Sequence, residues 1–317
     1  MKLLSAFLRL IRWPNLLFIA LSQILFYYCI IVPNLSQGYF LLPKHITAQL
    51  FYLLAIASIL IAAGGYIIND YFDINIDRVN KPTKMVVEKV IYRRHAILLH
   101  ITLTSIGVLL SLYVAIHTSI IVFICNVVCT LLLWFYSTTF KRKLLTGNIL
   151  ISILTAWTFA VLYFATNTTF NSHILIAQPI HLSLQKIYKF TALYTGFAFI
   201  ISLIREVVKD IEDIEGDRKY NCTTMPIAWG VQAAKVFVGV WMVVLIGALF
   251  ILQTYVVQLQ WWFTILYCIA LLIIPLCWLL FKFIKAKTTF EYHQISSWIK
   301  WLMLSGILSL LFFTFYA

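Results

Sequence analysis

The stretch GYIINDYFDINIDRVNKP, from Gly65 to Pro82, directly follows the apolar run FYLLAIASILIAA and contains Asp70, Asp73 and Asp77. Acidic residues are rare in this chain, where Asp and Glu together number 11 in 317 residues. Six more of them lie in a second stretch, REVVKDIEDIEGDRKYN, which also follows an apolar run. Nearly all acidic residues are therefore concentrated at two places, and each place is the end of a hydrophobic segment.

The composition predicts an integral membrane protein. Hydrophobic residues make up 62% of the chain and charged residues 11%, against about 25% charged in soluble domains. Nine windows are long enough for membrane helices of about 20 residues. They are approximately 14–33, 48–69, 95–117, 119–138, 147–167, 188–206, 231–253, 261–281 and 296–316. We expect an all-α, multi-pass protein in which residues 1–317 form a single membrane domain, since the spacing leaves no room for a soluble one.

The distribution of basic residues predicts the orientation in the membrane. With the N-terminus in the cytoplasm, all of the 24 Lys and Arg residues except Lys44, Lys186 and Lys189 fall on the cytoplasmic side. So large a bias follows the positive-inside rule. The net charge of +13 fits anionic lipid headgroups or a phosphorylated substrate. No repeated basic and aromatic pattern indicates nucleic acid, and no feature indicates a protein partner.

The two acidic stretches share one spacing. Asp70, Asp73 and Asp77 form D-x-x-D-x-x-x-D, and the same pattern recurs 140 residues later. Its second copy is Asp210, Asp213 and Asp217. Four predicted spans separate the copies, so they occupy equivalent ends of spans 2 and 6, as in duplicated membrane folds. Chance is the alternative, because offsets of three and four are common in helices.

The chemistry of each acidic stretch suggests a hard cation. On a continuous helix the three aspartates lie within about 60° of one another, and Glu206 joins the second face while Glu212 and Glu215 point away. Gly216 is a candidate end of this second helix. Such carboxylates repel one another unless cations lie among them. Oxygen ligands without His or Cys suit Mg²⁺ or Ca²⁺.

Basic residues surround both acidic stretches. They are Arg78, Lys81, Lys84, Lys141, Arg142, Lys143, Arg205, Lys209, Arg218 and Lys219. Acids that bind Mg²⁺ beside bases that bind phosphate describe a diphosphate site, in which the cation neutralises the leaving group. The alternative is that the acids are solvated and merely offset these bases. For Arg142, Lys143 and Lys84 we favour a role in membrane orientation alone.

These motifs resemble those of the UbiA superfamily of intramembrane prenyltransferases. The similarity includes NDYFDINID and DIEDIEGD, each of which closes a hydrophobic helix. It also includes Arg12 and Asn15 at the opening of span 1, and the loop YSTTFKRKLLTGN from Tyr136 to Asn148. Within the superfamily, REVVKDIEDIEGDRKYNCTTMPI is most similar to the digeranylgeranylglyceryl phosphate synthases. The chain departs from them at NKPTKMVVEKV, where the family commonly has Arg-Pro and a Gly-rich turn.

The resemblance implies a barrel-like bundle of nine helices around a central cavity, and a prenyl diphosphate bound through Mg²⁺. The implied metal-binding and catalytic residues are Asn69, Asp70, Asp73, Asp77, Asp210, Asp213 and Asp217. The implied substrate-binding residues are Arg12, Asn15, Asn69, Arg78, Tyr136, Lys141, Asn148, Arg205 and Lys209. The aromatic residues closest to the site, Tyr66, Tyr71, Phe72 and Tyr136, could stabilise an allylic cation or simply pack.

The expected activity is transfer of a prenyl group, geranylgeranyl in this branch, to a lipid acceptor such as prenylglycerol phosphate. An aromatic quinone precursor or haem stays open as the acceptor. A cation transporter is the alternative from another class, although its site would lie near the bilayer midplane. The D-G-x-x-A-R pattern of CDP-alcohol phosphotransferases is absent.

The predicted topology can be tested by labelling single cysteines from each side of the membrane. Residues 78–94, 141–146 and 207–230 should react from the cytoplasmic side, because the basic residues concentrate there. Lys44 and Lys186, replaced by cysteine, should react from the other side. Opposite sidedness of the two acidic motifs would contradict the prediction.

Overall fold

The structure, a computed structural model, describes residues 2–35, 46–80, 85–166 and 178–316. Within these residues nine helices are long and apolar enough to cross a membrane. Spans 1 to 9 are Trp13–Leu35, Ala48–Phe72, Arg93–His117, Ile120–Thr138, Thr146–Thr166, Ser183–Glu212, Val231–Gln258, Trp262–Lys285 and Thr289–Phe315. The predicted all-α fold with nine membrane helices is confirmed.

Two of the predicted windows were too short. Span 6 continues to Glu212, well beyond position 206, and span 9 begins at Thr289, ahead of position 296. Hydropathy windows stop at charged residues, whereas the helices continue through them. Span 9 starts where Thr288 and Glu291 form a capping box, which satisfies amide groups of the first turn.

Short helices lie beside the spans. They are Lys2–Leu10, Ile74–Asn80, Phe140–Arg142, Ile214–Lys219 and Met225–Ala228. Lys44, Lys81 and Lys84, which the sequence analysis singled out, lie outside the described residues. Of the first cytoplasmic loop, predicted as 78–94, the structure describes residues 78–80 and 85–94.

The chain divides into two compact units. Unit 1 comprises Met1–Phe140 with Trp157–Thr195, and unit 2 comprises Lys141–Ala156 with Gly196–Ala317. The first aspartate motif belongs to unit 1 and the second to unit 2. That residues 1–317 form one domain stays a prediction.

Small residues allow spans 2 and 3 to approach closely within unit 1. A Cβ added at Gly107 would lie 2.9 Å from Ile61 Cγ1 and 3.1 Å from the carbonyl oxygen of Ala57. A Cβ added at Gly64 would lie against Thr104 Oγ1. Membrane helices associate through such close packing because lipid provides no hydrophobic driving force.

Buried polar side chains connect further spans of unit 1. Asn126 donates a hydrogen bond to Ser111 Oγ at 2.8 Å and accepts one from Trp157 Nε1 at 2.8 Å. Gln23 donates to Ser58 Oγ and to the carbonyl oxygen of Thr158, both at 3.1 Å. These bonds join spans 3, 4 and 5 and spans 1, 2 and 5, since a polar group in a membrane core has to find its partner within the protein.

The N-terminal helix Lys2–Leu10 packs beside the end of span 2. Its Leu10 is fully buried in a cluster with Ile67 and Ile74. Arg12 then adopts a left-handed conformation with φ 51° and ψ 52°, which is uncommon for a residue with a Cβ. This turn starts span 1, with Pro14 in its first turn.

Gly107→Ala should destabilise the protein, because the backbone carbonyl of Ala57 cannot give way to the new methyl group. Overpacking of this kind costs about 1–3 kcal/mol, which should lower the thermal unfolding midpoint in detergent. Gly247→Ala is the matched control, since nothing lies within 4 Å of its added Cβ. Equal midpoints for the two variants would contradict the close approach of spans 2 and 3.

Candidate functional site

The first aspartate motif lies where span 2 ends. Asn69 and Asp70 are in the last turn of the helix, and Asp73 follows it with φ −86° and ψ −1°. Asp77 lies in the next helix, Ile74–Asn80. The Asp73 amide donates to the Asn69 carbonyl at 3.0 Å, and the Asp77 amide donates to the Asp73 carbonyl at 2.8 Å. The helix is therefore interrupted at Asp73, while hydrogen bonds are kept on both sides of the interruption.

The second motif has the same local structure. Span 6 ends at Glu212, Asp213 has φ −93° and ψ 9°, and a helix begins at Ile214. The Asp213 amide donates to the Lys209 carbonyl at 2.8 Å, and the Asp217 amide donates to the Asp213 carbonyl at 3.2 Å. In both copies the middle aspartate occupies the break between a long and a short helix.

Two details of the sequence analysis were wrong here. The aspartates do not lie on one uninterrupted helix, because each helix is interrupted at the middle aspartate. Gly216 does not end the second helix either, since it lies inside the helix Ile214–Lys219. Neither interruption coincides with a Gly or Pro, so the sequence carried no local signal for it.

The first aspartate of each copy accepts a hydrogen bond from the opening of another span. Arg12 Nη2 donates to Asp70 Oδ1 at 2.7 Å, and Asn148 Nδ2 donates to Asp210 Oδ2 at 2.8 Å. Asn148 is buried. Without such donors, carboxylates at membrane depth are costly.

The guanidinium of Arg12 is held on two sides. It pairs with Asp70, and it also lies over the ring of Tyr66, 5.1 Å from the centroid. Burial by itself would lower the pKa of Arg12, but attraction to Asp70 and Tyr66 raises it above its ordinary value. Arg12 is therefore a permanent cation, which suits a contact with phosphate.

The openings of spans 1 and 5 are also alike. A residue with a positive φ precedes each span, Arg12 at 51° and Leu145 at 55°. Three residues later comes an asparagine in both cases, Asn15 and Asn148. This second correspondence supports a duplicated origin of the site. The sequence analysis missed it because only the asparagine is shared between the two openings.

Asn69 and Asp73 form the most buried part of the first motif. They are 8% and 4% exposed, and Asn69 Nδ2 donates to Asp73 Oδ2 at 2.7 Å. The other amide atom, Asn69 Oδ1, has no hydrogen-bond partner within the described chain although it is buried. An unpaired buried acceptor is costly, and a hard cation would satisfy it.

The donor set fits Mg²⁺ bound together with a substrate. In the described parts of the chain, no three His, Cys, Asp or Glu residues form a ready metal cluster. Mg²⁺ typically takes one or two carboxylates and completes its shell with water and substrate phosphate. Asn69 and the aspartates supply oxygen ligands of that kind.

Arg205 and Lys209 surround a buried acid in unit 2. Arg205 Nη1 lies 3.0 Å from Glu206 Oε1, and Lys209 Nζ lies 3.0 Å from Glu206 Oε2. Both bases therefore pair with Glu206. Among the described residues, Arg205 Nε is buried without a hydrogen-bond partner, so this guanidinium keeps a donor for another group. Arg205, Glu206 and Lys209 together carry one net positive charge.

The other predicted residues are placed differently. Arg78 is exposed and pairs with Glu88 at 2.6 Å, and Arg93 pairs with the same acid at 3.5 Å. Asn15 and Tyr136 are half-buried, and so is Lys141. The structure thus brings Arg12 together with Asp70, Asn69 with Asp73, and Asn148 with Asp210, while Arg78 is directed to Glu88.

One contact near the second motif had no sequence signal. His293 Nδ1 lies 2.7 Å from Glu212 Oε1, and 81 positions separate the two residues. It ties the start of span 9 to the residue that precedes Asp213.

Comparison with known proteins identifies the family of this chain. The model of the UbiA prenyltransferase family matches residues 30–304. The digeranylgeranylglyceryl phosphate synthase of Methanosphaera stadtmanae is 29% identical over 257 residues, which cover 79% of this chain and 83% of the relative.

Solved structures show the same fold. One of digeranylgeranylglyceryl phosphate synthase has a TM-score of 0.61 at 24% identity, covering 98% of this chain and 99% of the other. A UbiA homologue from Archaeoglobus fulgidus bound to GPP and Mg²⁺ has a TM-score of 0.56 at 16% identity, covering 96% and 99%. The family match spans most of the chain and includes both aspartate motifs, and we conclude that the chain belongs to the UbiA prenyltransferase family.

Proposed function

We propose that this prenyltransferase moves a geranylgeranyl group from its diphosphate to the hydroxyl of a prenylglycerol phosphate, as in the synthesis of ether lipids. The curated relatives that carry the name digeranylgeranylglyceryl phosphate synthase support this acceptor. The observation that carries the proposal is the repeated break at Asp73 and Asp213, beside oxygen donors that include the unpaired Asn69 Oδ1.

In the proposed reaction the bond between C1 of the prenyl chain and the diphosphate oxygen breaks. Pyrophosphate leaves with the electron pair, the acceptor oxygen bonds to C1, and the hydroxyl proton passes to the departing pyrophosphate or to water. Bound Mg²⁺ supplies Lewis-acid stabilisation of the leaving pyrophosphate, and the GPP and Mg²⁺ complex of the Archaeoglobus fulgidus homologue supports its use here.

The side chains of each motif have separate roles in this proposal. Asp70, Asp73 and Asp77, with Asn69, and Asp210, Asp213 and Asp217 are the ligands for the cation-bound diphosphate. Arg12 and Lys141 bind phosphate oxygens, and Asn15, Tyr136 and Asn148 orient the substrate. Because Arg12 is fixed by Asp70 and Tyr66, it needs little reorganisation to meet developing charge, which is the condition for electrostatic catalysis.

The acceptor is anionic, so its phosphate needs a cation beyond those that serve the diphosphate. Arg205 is suited to this because its Nε has no partner in the described structure and the side chain is only 16% exposed. Lys209 holds Glu206 and thereby keeps Arg205 from being fully neutralised. Arg78 stays a proposed contact, although it would first have to leave Glu88. We also place the site on the cytoplasmic face, on the basis of the positive-inside distribution.

Asp73→Asn and Asp213→Asn should each lower turnover by on the order of a hundredfold or more, because a carboxylate lost from the cation-bound diphosphate removes several kcal/mol of charge stabilisation. Turnover is measured with labelled geranylgeranyl diphosphate and prenylglycerol phosphate over a range of Mg²⁺ concentrations. Glu215→Gln is the control, since Glu215 is an exposed acid of the same stretch and should leave turnover unchanged. Wild-type turnover in both aspartate variants would refute the site.

Arg205→Gln should raise the KM for prenylglycerol phosphate about tenfold or more, with a smaller effect on the KM for the prenyl diphosphate. The reason is the loss of a charge-assisted hydrogen bond to phosphate, worth about 1.5–3 kcal/mol. Arg218→Gln removes an exposed base of the same stretch and serves as the control.

A purely structural role for Arg205 predicts something else. The unfolding midpoint would then fall and neither KM would change, because only the pairing with Glu206 would be lost. If the wild-type enzyme prenylates an aromatic quinone precursor and does not act on prenylglycerol phosphate, the proposed acceptor is wrong. The assignment to the family would not be affected.

A further inference from the structure

Unit 2 contains a groove between spans 8 and 9 that includes no residue of the aspartate motifs. Its volume is about 450 Å³. The residues that define it are Trp278 and Lys282 from span 8, and His293, Gln294, Trp298 and Trp301 from span 9. They recur at three- and four-residue intervals, which places them along one face of each helix.

One end of the groove is polar and the other end is aromatic. Lys282 is three residues from the end of span 8, and His293 is four residues from the start of span 9. At 1.5 Å per residue both lie within roughly 6 Å of the helix ends. Trp301 lies twelve residues into span 9, or roughly 18 Å along the helix from its start. The polar end of the groove is therefore the end nearer the helix termini, and the aromatic end lies farther along the apolar spans.

Lys282 forms no salt bridge in the described structure, although Glu291 is near enough to attract it electrostatically. Lys282 Nζ donates to Gln294 Oε1 at 3.0 Å, a neutral partner, and lies 5.2 Å from the centre of the Trp278 ring. No carboxylate in the described structure is within salt-bridge distance of it. Of the acids nearby, Glu291 accepts hydrogen bonds from the amides of Lys287 and Thr288.

Other charges at this end add to that of Lys282. Lys285 and Lys287 are exposed and follow it along the chain, and Glu212 is paired with His293. The three lysines at the polar end outnumber its two acids, Glu212 and Glu291, so this end keeps an excess of positive charge. In the predicted topology this is the cytoplasmic side, where anionic lipids attract basic segments.

The tryptophan rings of the groove are largely exposed in the described structure. Trp278 and Trp298 meet edge to face with centroids 5.4 Å apart. Their exposed fractions are 46% and 49%, and that of Trp301 is 65%. Such rings, apolar over most of their surface and with one polar N–H, favour the boundary between headgroups and acyl chains.

We propose that this groove binds an anionic membrane lipid, with its phosphate on Lys282 and an acyl chain along Trp298 and Trp301. A lysine without a salt bridge at one end and exposed aromatic rings at the other match the two ends of such a lipid. Basic pockets between membrane helices bind lipid headgroups in this way. The groove includes no residue of the aspartate motifs, so lipid binding there can be measured without turnover.

The test is native mass spectrometry of the full chain in detergent, with equal amounts of dioleoyl phosphatidylglycerol and dioleoyl phosphatidylcholine. The wild type should retain the anionic lipid in preference, and Lys282→Gln should reduce that retention about tenfold, the usual effect of losing a charge-assisted bond. Lys282→Arg should restore it. Lys89→Gln removes an exposed cation of unit 1 and should change nothing.

Four results would overturn the proposal. One is equal retention of the two lipids by the wild type. Another is an equal loss for Lys282→Gln and Lys89→Gln, which would indicate general charge attraction. The third concerns Trp298→Ala: if it changed the oligomeric mass in light scattering and left lipid retention intact, the groove would be a contact between copies of the chain. Displacement of the lipid by millimolar inorganic phosphate would likewise show a soluble-anion site in its place.

Discussion

The site depends on one constraint, which is that carboxylates at the end of a membrane helix need donors supplied by the protein. An ionised group at this depth is poorly solvated, and its cost falls only when hydrogen bonds or cations surround it. Asp70 has Arg12, Asp73 has Asn69, and Asp210 has Asn148. These contacts fix the position of the start of span 1 relative to Asp70, and the position of the start of span 5 relative to Asp210.

The helix is interrupted at the middle aspartate of each motif. Asp73 has φ −86° and ψ −1°, and Asp213 has φ −93° and ψ 9°. The amide hydrogen bonds on either side of both residues are kept. The near-identical dihedral angles in the two units show that this is a repeated solution and not a local accident.

The left-handed residues ahead of spans 1 and 5 belong to the same arrangement. A residue with a Cβ gives up on the order of 1–2 kcal/mol in that conformation, and it persists only where the surroundings impose it. At Arg12 the imposing contacts are visible, since Leu10 is buried just before it and Asp70 holds the guanidinium after it. This strained turn places the permanently charged guanidinium of Arg12 beside the first motif.

The sequence by itself determined the nine spans, their predicted orientation, the duplicated aspartate motif and the family, because hydropathy, charge bias and spacing are properties of the linear chain. Through the resemblance to the family, it also predicted Arg12, Asn69 and Asn148 as site residues. Only the tertiary structure decided which partners these residues have and that the helices are interrupted at Asp73 and Asp213. It also decided that Arg78 pairs with Glu88, and that Arg205 and Lys209 both pair with Glu206. The reason is physical: one basic residue can serve any acid within reach, and which acid is within reach depends on helix packing between residues as far apart as Arg12 and Asp70 or Glu212 and His293.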